Sequence, residues 1–514
     1  MQKNLVLAVV LSSIVYIGWY SMVSPPPPKQ VAVEGEQKAG VTTAAAVSAA
    51  AAGADAKPLK FSEEASSRSY EPVRIKVAKA EYALDPLTAS LVGAVYDGPV
   101  EPVDLVPEGS AYFTAFEGLR FEPAGSRRYS ASFEARPEQG ILISKTFDFD
   151  PDNRINTLTV KVSNQGRAAR LLQPWALKIG PGISTVKSER KENPKLWRAL
   201  YTVQQEGKKN PTPVELEKDS GEKDWLWAGV DNRYFLAAVL GEGLESSGLK
   251  YLEEKSGEED EAPSLLIPFG AETLEAGGSK IWKMDFYLGP KHLPLLRQLG
   301  RGLDRSVDFG FFSPLAKLAE KALNYFHDMT GNYGVAILML SVVLQIFVMP
   351  LSFKSYKAMT LMKKLQPEMQ RIQAKYKENP QRMNQEIMEM YKKHGANPLG
   401  GCLPMLLQIP IFFALFTALR NSWSLHGAPF ALWITDLSSK DPYYVLPLTM
   451  GAVMVLQQHF NPQAGDPAQA KIMKWMPVIF TFMFLTFPAG LVMYWLVNSL
   501  FGFAQSMYMQ KKFA

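Results

Sequence analysis

Long apolar runs in the C-terminal part of this 514-residue chain restrict its fold more than any other feature. They occupy about 332–351, 402–419, 443–460, 473–487 and 490–508. Runs of roughly 20 apolar residues are long enough to cross a bilayer as helices. Because a backbone in hydrocarbon must satisfy its own hydrogen bonds, these runs predict a bundle of membrane-spanning helices.

The N-terminal segment predicts another membrane helix. Residues 4–23 are uncharged, Lys3 precedes them and a Pro-rich stretch follows. We predict an uncleaved anchor over 1–24; a cleavable signal peptide is the alternative, since the Ala-rich stretch downstream offers small residues to a peptidase. Residues 25–58 are rich in Pro, Ala and Gly, so they predict a linker.

Residues 59–310 have a different pattern. Apolar and polar residues alternate in RIKVAKAEY, TLTVKVSN and KIWKMDFYL, and we group the run YFLAAVL with them; turn signals such as DG, NQG and EAGGS lie between such runs. Period-two alternation predicts antiparallel strands, and we expect a β-sandwich. Cys402 is the sole cysteine of the chain, so no intramolecular disulfide supports this domain.

An amphipathic helix is predicted over 311–330. Ser313 is the expected N-cap and Pro314 the first helical residue. Lys317, Glu320 and Lys321 are expected on the polar face; the expected apolar face consists of Leu315, Leu318, Ala319, Ala322, Leu323 and Phe326. We expect it to lie at the membrane interface; packing against the β domain is the alternative.

Charge predicts the topology. The polar segment 352–400 carries four Glu and ten basic residues, at 354, 357, 363, 364, 371, 375, 377, 382, 392 and 393. The positive-inside rule assigns it to the cytoplasm, together with both termini and a short tail at 511–514. Six spans and an outer β domain follow. Two apolar stripes flanking a turn at 377–381 predict that 352–400 forms a helical hairpin.

Uncharged polar residues occur within the predicted spans. Gln345 lies about 9 Å from the cytoplasmic end of its helix, and Gln408 lies at a similar depth on the next one. Their shared depth favours a shallow polar cavity open to the cytoplasm, although each glutamine by itself is compatible with an ordinary interhelical hydrogen bond. The fifth run is short, which predicts local thinning of the bilayer.

Motifs for enzymatic chemistry are absent from the sequence. It contains no GxSxG, no phosphate-binding loop and no metal-ligand cluster, so we expect neither an enzyme nor a cofactor. No carboxylate lies in a predicted span, which argues against an ion-coupled transporter. The segment DWLWAGVDNRYF at 224–235 leaves a membrane-anchored glycan-binding protein or enzyme as an alternative.

Three segments resemble the YidC/Oxa/Alb family of membrane protein insertases, in its Gram-negative form. They are NPLGGCLPMLLQIPIFFALF, APFALWITDLSSKDPYYVLPLTMG and KIMKWMPVIFTFMFLTFPAGLVMYWLVNS, at 397–416, 428–451 and 471–499. The resemblance implies a polytopic α-helical protein with a five-helix core over 331–510 and a periplasmic β-supersandwich. It implies insertion of nascent inner-membrane proteins, alone or with the SecYEG translocon, and contact with lipid.

The resemblance also implies a substrate groove. Its expected residues are Gln345, Ser341, Gln408, Asn498, Trp495 and Tyr494. Gln345 replaces an arginine that is usual in the family, so we expect this groove to supply polarity rather than positive charge. A ribosome or the signal recognition pathway is a possible partner of basic residues on the hairpin, namely Lys363, Lys364, Arg371 and Lys375.

Overall fold

The structure is a computed structural model. It describes residues 57–58, 71–138, 140–204, 211–222, 224–244, 248–256, 261–396, 403–460 and 467–513. The predicted anchor at 1–24, most of the predicted linker and Cys402 lie outside these residues. The chain forms two compact units: a helical unit from Phe309 onward, and a β unit that ends at Asp308 and also includes Asn421–Trp423.

The β unit contains a nine-stranded sheet in the order β13-β12-β14-β15-β19-β9-β8-β7-β6. Its strands are β6 Glu122–Arg127, β7 Ser130–Ala135, β8 Ile141–Asp148, β9 Asn156–Asn164, β12 Arg198–Val203, β13 Thr212–Glu215, β14 Trp225–Asp231, β15 Phe235–Leu240 and β19 Ser279–Pro290. Every pairing in this sheet is antiparallel. The sheet is therefore built by hairpins and longer returns, as the alternating sequence pattern predicts.

Three smaller sheets complete the β unit, in the orders β2-β3-β4-β5, β11-β17-β16 and β1-β10-β18. Their strands are β1 Lys57–Pro58, β2 Val73–Lys76, β3 Ala80–Asp85, β4 Ser90–Asp97, β5 Pro102–Asp104, β10 Arg170–Leu172, β11 Trp175–Ile179, β16 Lys250–Lys255, β17 Glu261–Phe269 and β18 Glu272–Leu274. A short helix, α1, follows at Leu293–Leu299.

A shared apolar core joins these sheets. It includes Tyr82 of β3, Ile143 of β8, Leu177 of β11 and Leu265 of β17, all fully buried. Along β8 buried and half-buried residues alternate, so one face of the strand points into this core. The predicted β-sandwich domain is confirmed, and its strands pair antiparallel except for the short parallel pairing of β1 with β10.

The helical unit contains seven further α-helices within the described residues. They are α2 Ser313–Thr330, α3 Tyr333–Lys375, α4 Pro380–Lys393, α5 Leu403–Arg420, α6 Val445–Phe460, α7 Pro467–Phe484 and α8 Ala489–Phe513. By length and composition, α3 is the one helix of the described residues that can cross a membrane; the apolar stretches Leu406–Arg420, Val445–Phe460 and Lys474–Phe484 are shorter.

Helix α3 differs from the sequence expectation because a predicted span and the first helix of the hairpin are one continuous helix of 43 residues. Asn332 caps its start by accepting a hydrogen bond from the backbone N–H of Val335 at 3.1 Å. Pro350 and Pro367 lie inside it. A proline removes one backbone donor and disfavours a helix locally, yet here the flanking turns remain helical.

Two expectations for α2 are wrong. The N-cap is Phe312 and Ser313 is already helical, so the serine side chain makes no cap. Glu320, expected on the polar face, is only 5% exposed. Its carboxylate accepts a hydrogen bond from Asn324, which accepts one from the hydroxyl of Tyr333 at 3.1 Å. These polar partners compensate for the burial of the carboxylate.

Candidate functional site

One end of the helical bundle is apolar, and we call it the apolar end. It is where α3, α6 and α8 begin and where α5 and α7 finish. A single cluster of buried side chains fills it, drawn from all of these helices, α2 and the loop after α5: Leu323, Ala336, Ile337, Leu340, Leu415, Phe416, Leu419, Leu425, Ile434, Leu437, Met450, Phe484, Ala489, Leu491, Val492, Met493 and Tyr494. Among the described residues, this end of the bundle is therefore packed mainly with apolar side chains.

Polar side chains begin directly beyond this cluster on α3. Ser341 follows Leu340 and is buried, and its Oγ donates to the carbonyl of Ile337 at 2.6 Å within its own helix. Gln345 lies one turn farther along the same face, because residues four apart are neighbours on a helix. Its side chain is 6% exposed, and no described residue forms a hydrogen bond with it.

A hydrogen bond connects α5 and α8. The Nε2 of Gln408 donates to the hydroxyl of Tyr494 at 2.5 Å, and Tyr494 itself is buried at the edge of the apolar cluster. Asn498 lies one turn beyond Tyr494, is half-buried, and has no hydrogen bond with the part of the chain that the structure describes. Four of the six expected groove residues therefore lie next to the apolar cluster, on three different helices: Gln345, Gln408, Tyr494 and Asn498.

Trp495 has different surroundings from its neighbour Tyr494. Its ring lies 5.0 Å from that of Phe412 on α5, and 5.7 and 5.2 Å from those of Phe480 and Phe484 on α7. Successive helical residues point about 100° apart. Trp495 accordingly packs in an aromatic cluster, whereas Tyr494 meets Gln408.

Sequence reasoning missed two serines on the polar face of α3. Ser352 and Ser355 lie seven and ten residues after Gln345, a spacing that keeps all three on one side of a helix. Ser355 is buried, and the hydroxyl of Ser352 donates to the carbonyl of Val348 at 3.3 Å. The seven-residue spacing from Gln345 is the signal that would have identified Ser352.

The hairpin formed by α4 and the second half of α3 has its own small core. Leu365 and Met369 pack there with Met390 and Ala396, as its apolar stripes predict. Lys363, Lys364, Arg371 and Lys375 are all exposed. The ammonium of Lys375 and the guanidinium of Arg382 lie 5.2 and 5.6 Å from the ring centroid of Tyr376. The exposed surface near the hairpin turn is thus cationic.

The segment at 224–235 offers little surface to a sugar. Trp225 and Trp227 are buried, and Asp231 is fully buried beside two cations. Arg198 donates to Asp231 at 2.9 Å, and Lys291 does so at 2.8 Å. Burial lowers the pKa of Lys291 and the Asp231 charge opposes that effect. These residues form a structural network in the β unit, and the glycan alternative loses its main support.

A helical bundle with apolar side chains packed at one end, polar side chains beyond them and one helix able to cross a membrane, in a chain that also forms a β-sandwich, is typical of a membrane protein with a large extramembrane domain. The comparisons name the particular family. A family model described as "60Kd inner membrane protein" matches residues 325–514, and a "YidC periplasmic domain" model matches 95–319. The chain belongs to the YidC family of membrane protein insertases.

Relatives match over the whole length. A "Membrane protein insertase YidC" from Endomicrobium trichonymphae is 36% identical, covering 100% of this chain and 98% of that protein. One from Geobacter metallireducens is 34% identical, covering 100% and 99%. Family membership assigns this chain to the bacterial inner membrane, with a periplasmic β domain.

Solved structures add distant similarities. A crystal structure of an active YidC insertase is 18% identical, covers 88% of this chain and 95% of its own, and has a TM-score of 0.39. A galactose mutarotase-like protein from Lactobacillus casei is 9% identical over 42% of this chain, with a TM-score of 0.30. Similarity at these levels carries no argument about function.

Proposed function

We propose that this chain inserts and folds inner-membrane proteins, and that hydrophilic segments of its clients enter the bundle from the end opposite the apolar end, which we call the polar end. The observation that carries the proposal is the division of the bundle: a continuous apolar cluster at one end, and Gln345, Gln408 and Asn498 directly beyond it. A hydrophilic segment that reaches half-way through a membrane has a smaller remaining barrier to cross, because polar groups are costly chiefly in hydrocarbon.

The proposed topology has six spans with both termini in the cytoplasm. The basic hairpin supports it, since clusters of Lys and Arg favour the cytoplasmic side. The polar end then opens to the cytoplasm, where nascent clients arrive. In this arrangement the domains are the anchor at 1–24, the linker at 25–58, the β domain at 59–310 and the insertase core at 331–510, with a short tail at 511–514.

The helix at 311–330 is proposed to lie at the membrane interface. Phe311 is exposed just before its start, and four large apolar side chains are exposed on it at helical spacing: Leu315, Leu318, Tyr325 and Met329. Lys321 and Asp328 are exposed beside this apolar stripe. Its opposite side packs inward through Ala316 and Leu323. An exposed apolar stripe next to the start of a membrane helix fits the boundary between headgroups and acyl chains. Lipid is the partner proposed for this surface.

The exposed hairpin is proposed to receive clients. Its basic residues Lys363, Lys364, Arg371 and Lys375 suit an anionic partner, such as ribosomal RNA, a component of the signal recognition pathway, or anionic lipid. Cooperation with the SecYEG translocon is a further proposal that rests on the family alone. Binding through the hairpin should weaken as salt is raised, because exposed charges are screened.

The test replaces Gln345 in cells depleted of their own insertase. Unaltered chain, Gln345→Arg and Gln345→Leu are compared by protease-protected insertion of a small single-span client. We expect the unaltered chain and the arginine variant to insert it, and the leucine variant to lose several-fold in rate. Phe347→Leu is the matched control, because Phe347 is 78% exposed on the outside of α3. Full activity of Gln345→Leu would reduce Gln345 to a packing residue and contradict the proposal.

A further inference from the structure

Gln505 lies near the end of α8 and has an unusual environment. Its side-chain Nε2 is enclosed by protein and has no hydrogen-bond partner among the residues that the structure describes. An enclosed donor without a partner is destabilising, because it has lost its water and gained nothing in exchange. Native structures keep few such groups, and those they keep call for an explanation.

The position of Gln505 continues the polar face of α8. Tyr494, Asn498 and Gln505 are spaced by four and seven residues, so they lie along one side of the helix. From Tyr494 to Gln505 the face extends about 16 Å. The packed partner helix α3 carries Gln345 and Ser352 at the same seven-residue spacing. Polar residues therefore recur along this side from the edge of the apolar cluster almost to the end of α8, with Phe501 and Gly502 between Asn498 and Gln505.

The side-chain amide of Gln457 packs against α8 one turn before Gln505. Gly502 has no side chain, and a Cβ added there would lie 2.3 Å from the Nε2 of Gln457 on α6. The Gln457 amide thus occupies the space that a larger residue at 502 would fill. It is the far end of a flexible side chain, so it can rotate away without any movement of the backbone.

We propose that Gln505 is a further client-binding residue of the polar site, and that its Nε2 donates to a carbonyl or carboxylate oxygen of the incoming hydrophilic segment after Gln457 has rotated aside. The missing partner of Gln505 is then supplied by the client. The inference rests on the proposed function and adds to it an entry position about 16 Å from Tyr494.

Cross-linking in membrane vesicles that contain the full chain tests this contact. Cys402 is first replaced by serine, since it is the sole native cysteine. Gln505→Cys, Asn498→Cys and Ala504→Cys are then compared, using a client intermediate with one cysteine in its hydrophilic tail and a short bis-maleimide. We expect cross-links at 505 and 498. Ala504 is the matched control, because it is adjacent in sequence but exposed.

The outcomes separate the two proposals. A cross-link at 498 without one at 505 overturns the role of Gln505 and leaves the proposed function intact. Cross-links at neither position, while a tail cysteine still reacts with free maleimide, count against the polar site as a whole. Equal cross-linking at 504 and 505 shows non-specific proximity and also overturns the inference.

A stability measurement distinguishes binding from packing. Gln505→Leu removes the unpartnered donor, so we expect the melting temperature of the purified protein to stay the same or rise. Insertion of a client with a polar tail should fall about fivefold, the effect of losing one hydrogen bond to the client. Unchanged insertion, or a fall in insertion and melting temperature together, would show that Gln505 has only a structural role.

Discussion

Lys145 occupies an inward-facing position of β8, where the strand otherwise places Ile143 and Phe147. It is fully buried, and its Nζ donates to the carbonyl of Phe113 at 2.9 Å. The rings of Phe121 and Phe147 lie 5.6 and 5.8 Å away, and no carboxylate of the described residues pairs with it. Burial lowers the pKa of Lys145 from 10.5 to about 7.

This pKa predicts how the stability of the β domain changes with pH. An unfolded lysine retains its proton to about pH 10.5, whereas folded Lys145 loses it near pH 7, so between these values the unfolded state binds more protons and stability rises with pH. The full difference between the folded and unfolded pKa values of Lys145 corresponds to about 5 kcal/mol in the free energy of unfolding. Between pH 7 and pH 9 the gain from this residue is about 2 kcal/mol. Below pH 7 folded Lys145 keeps its proton, so the full cost of burying its charge lowers the stability of the domain.

The measurement is urea unfolding of the β domain at pH 6, 7, 8 and 9. The domain can be studied by itself because it has its own apolar core. Lys145→Met should be more stable than the unaltered domain at pH 7 by about 3 kcal/mol, after the loss of one hydrogen bond. Its advantage should shrink by about 2 kcal/mol at pH 9. Lys161→Met, at an exposed position of β9, is the control. An advantage that stays constant across this pH range would refute the reasoning.

Three further predictions concern the helical unit. Gly334→Ala should lower the melting temperature of the purified protein, because a Cβ there would lie 2.2 Å from the ring of Phe430; overpacking costs about 1–3 kcal/mol. Asp441→Ala should accelerate proteolysis of the loop before α6, since the buried carboxylate accepts from an indole N–H and two backbone N–H groups. Tyr494→Phe should lower stability by about 1 kcal/mol through the loss of the Gln408 hydrogen bond, measured by thermal unfolding in detergent.

The strands of the β domain could be predicted because their signal is local. The runs quoted for β9 and β19 alternate with period two and end at turn residues, and the structure forms strands there. The run quoted for β15 is apolar throughout and buried at every position, which is typical of a strand covered on both faces. The burial of Lys145 could not be predicted. Its place in the alternation marks an inward position, but whether a lysine there reaches solvent depends on which rings close over it.

The errors in α2 have a physical cause. This helix carries two apolar stripes: one contains Leu315, Leu318 and Tyr325, and the other contains Ala316 and Leu323. Sequence periodicity shows that both exist, but it does not show which one packs inward. The structure packs the second stripe. Glu320 lies on that side because it is four residues after Ala316 and three before Leu323, and Asn324 donates to its carboxylate there.

The expected groove residues were easier to identify than their partners. Polar residues in apolar runs stand out in any sequence, so Gln345 and Gln408 could be found by depth alone. That Gln408 donates a hydrogen bond to Tyr494, while Gln345 has no hydrogen-bond partner among the described residues, depends on the rotation of three helices about their axes. That rotation is set by tertiary packing, which no local pattern encodes.

Beyond the apolar end, the first polar side chains of α3 and α8 are uncharged. On α3 the first charged residue is Lys354, nine residues beyond Gln345, and on α8 it is Lys511, six beyond Gln505. A side-chain amide can both donate and accept hydrogen bonds. A buried cation, by contrast, favours anionic partners and is costly to desolvate. Under the proposed function, such a site would suit client segments of varied sequence and would leave selection by charge to the exposed basic hairpin, where water and salt weaken every ion pair.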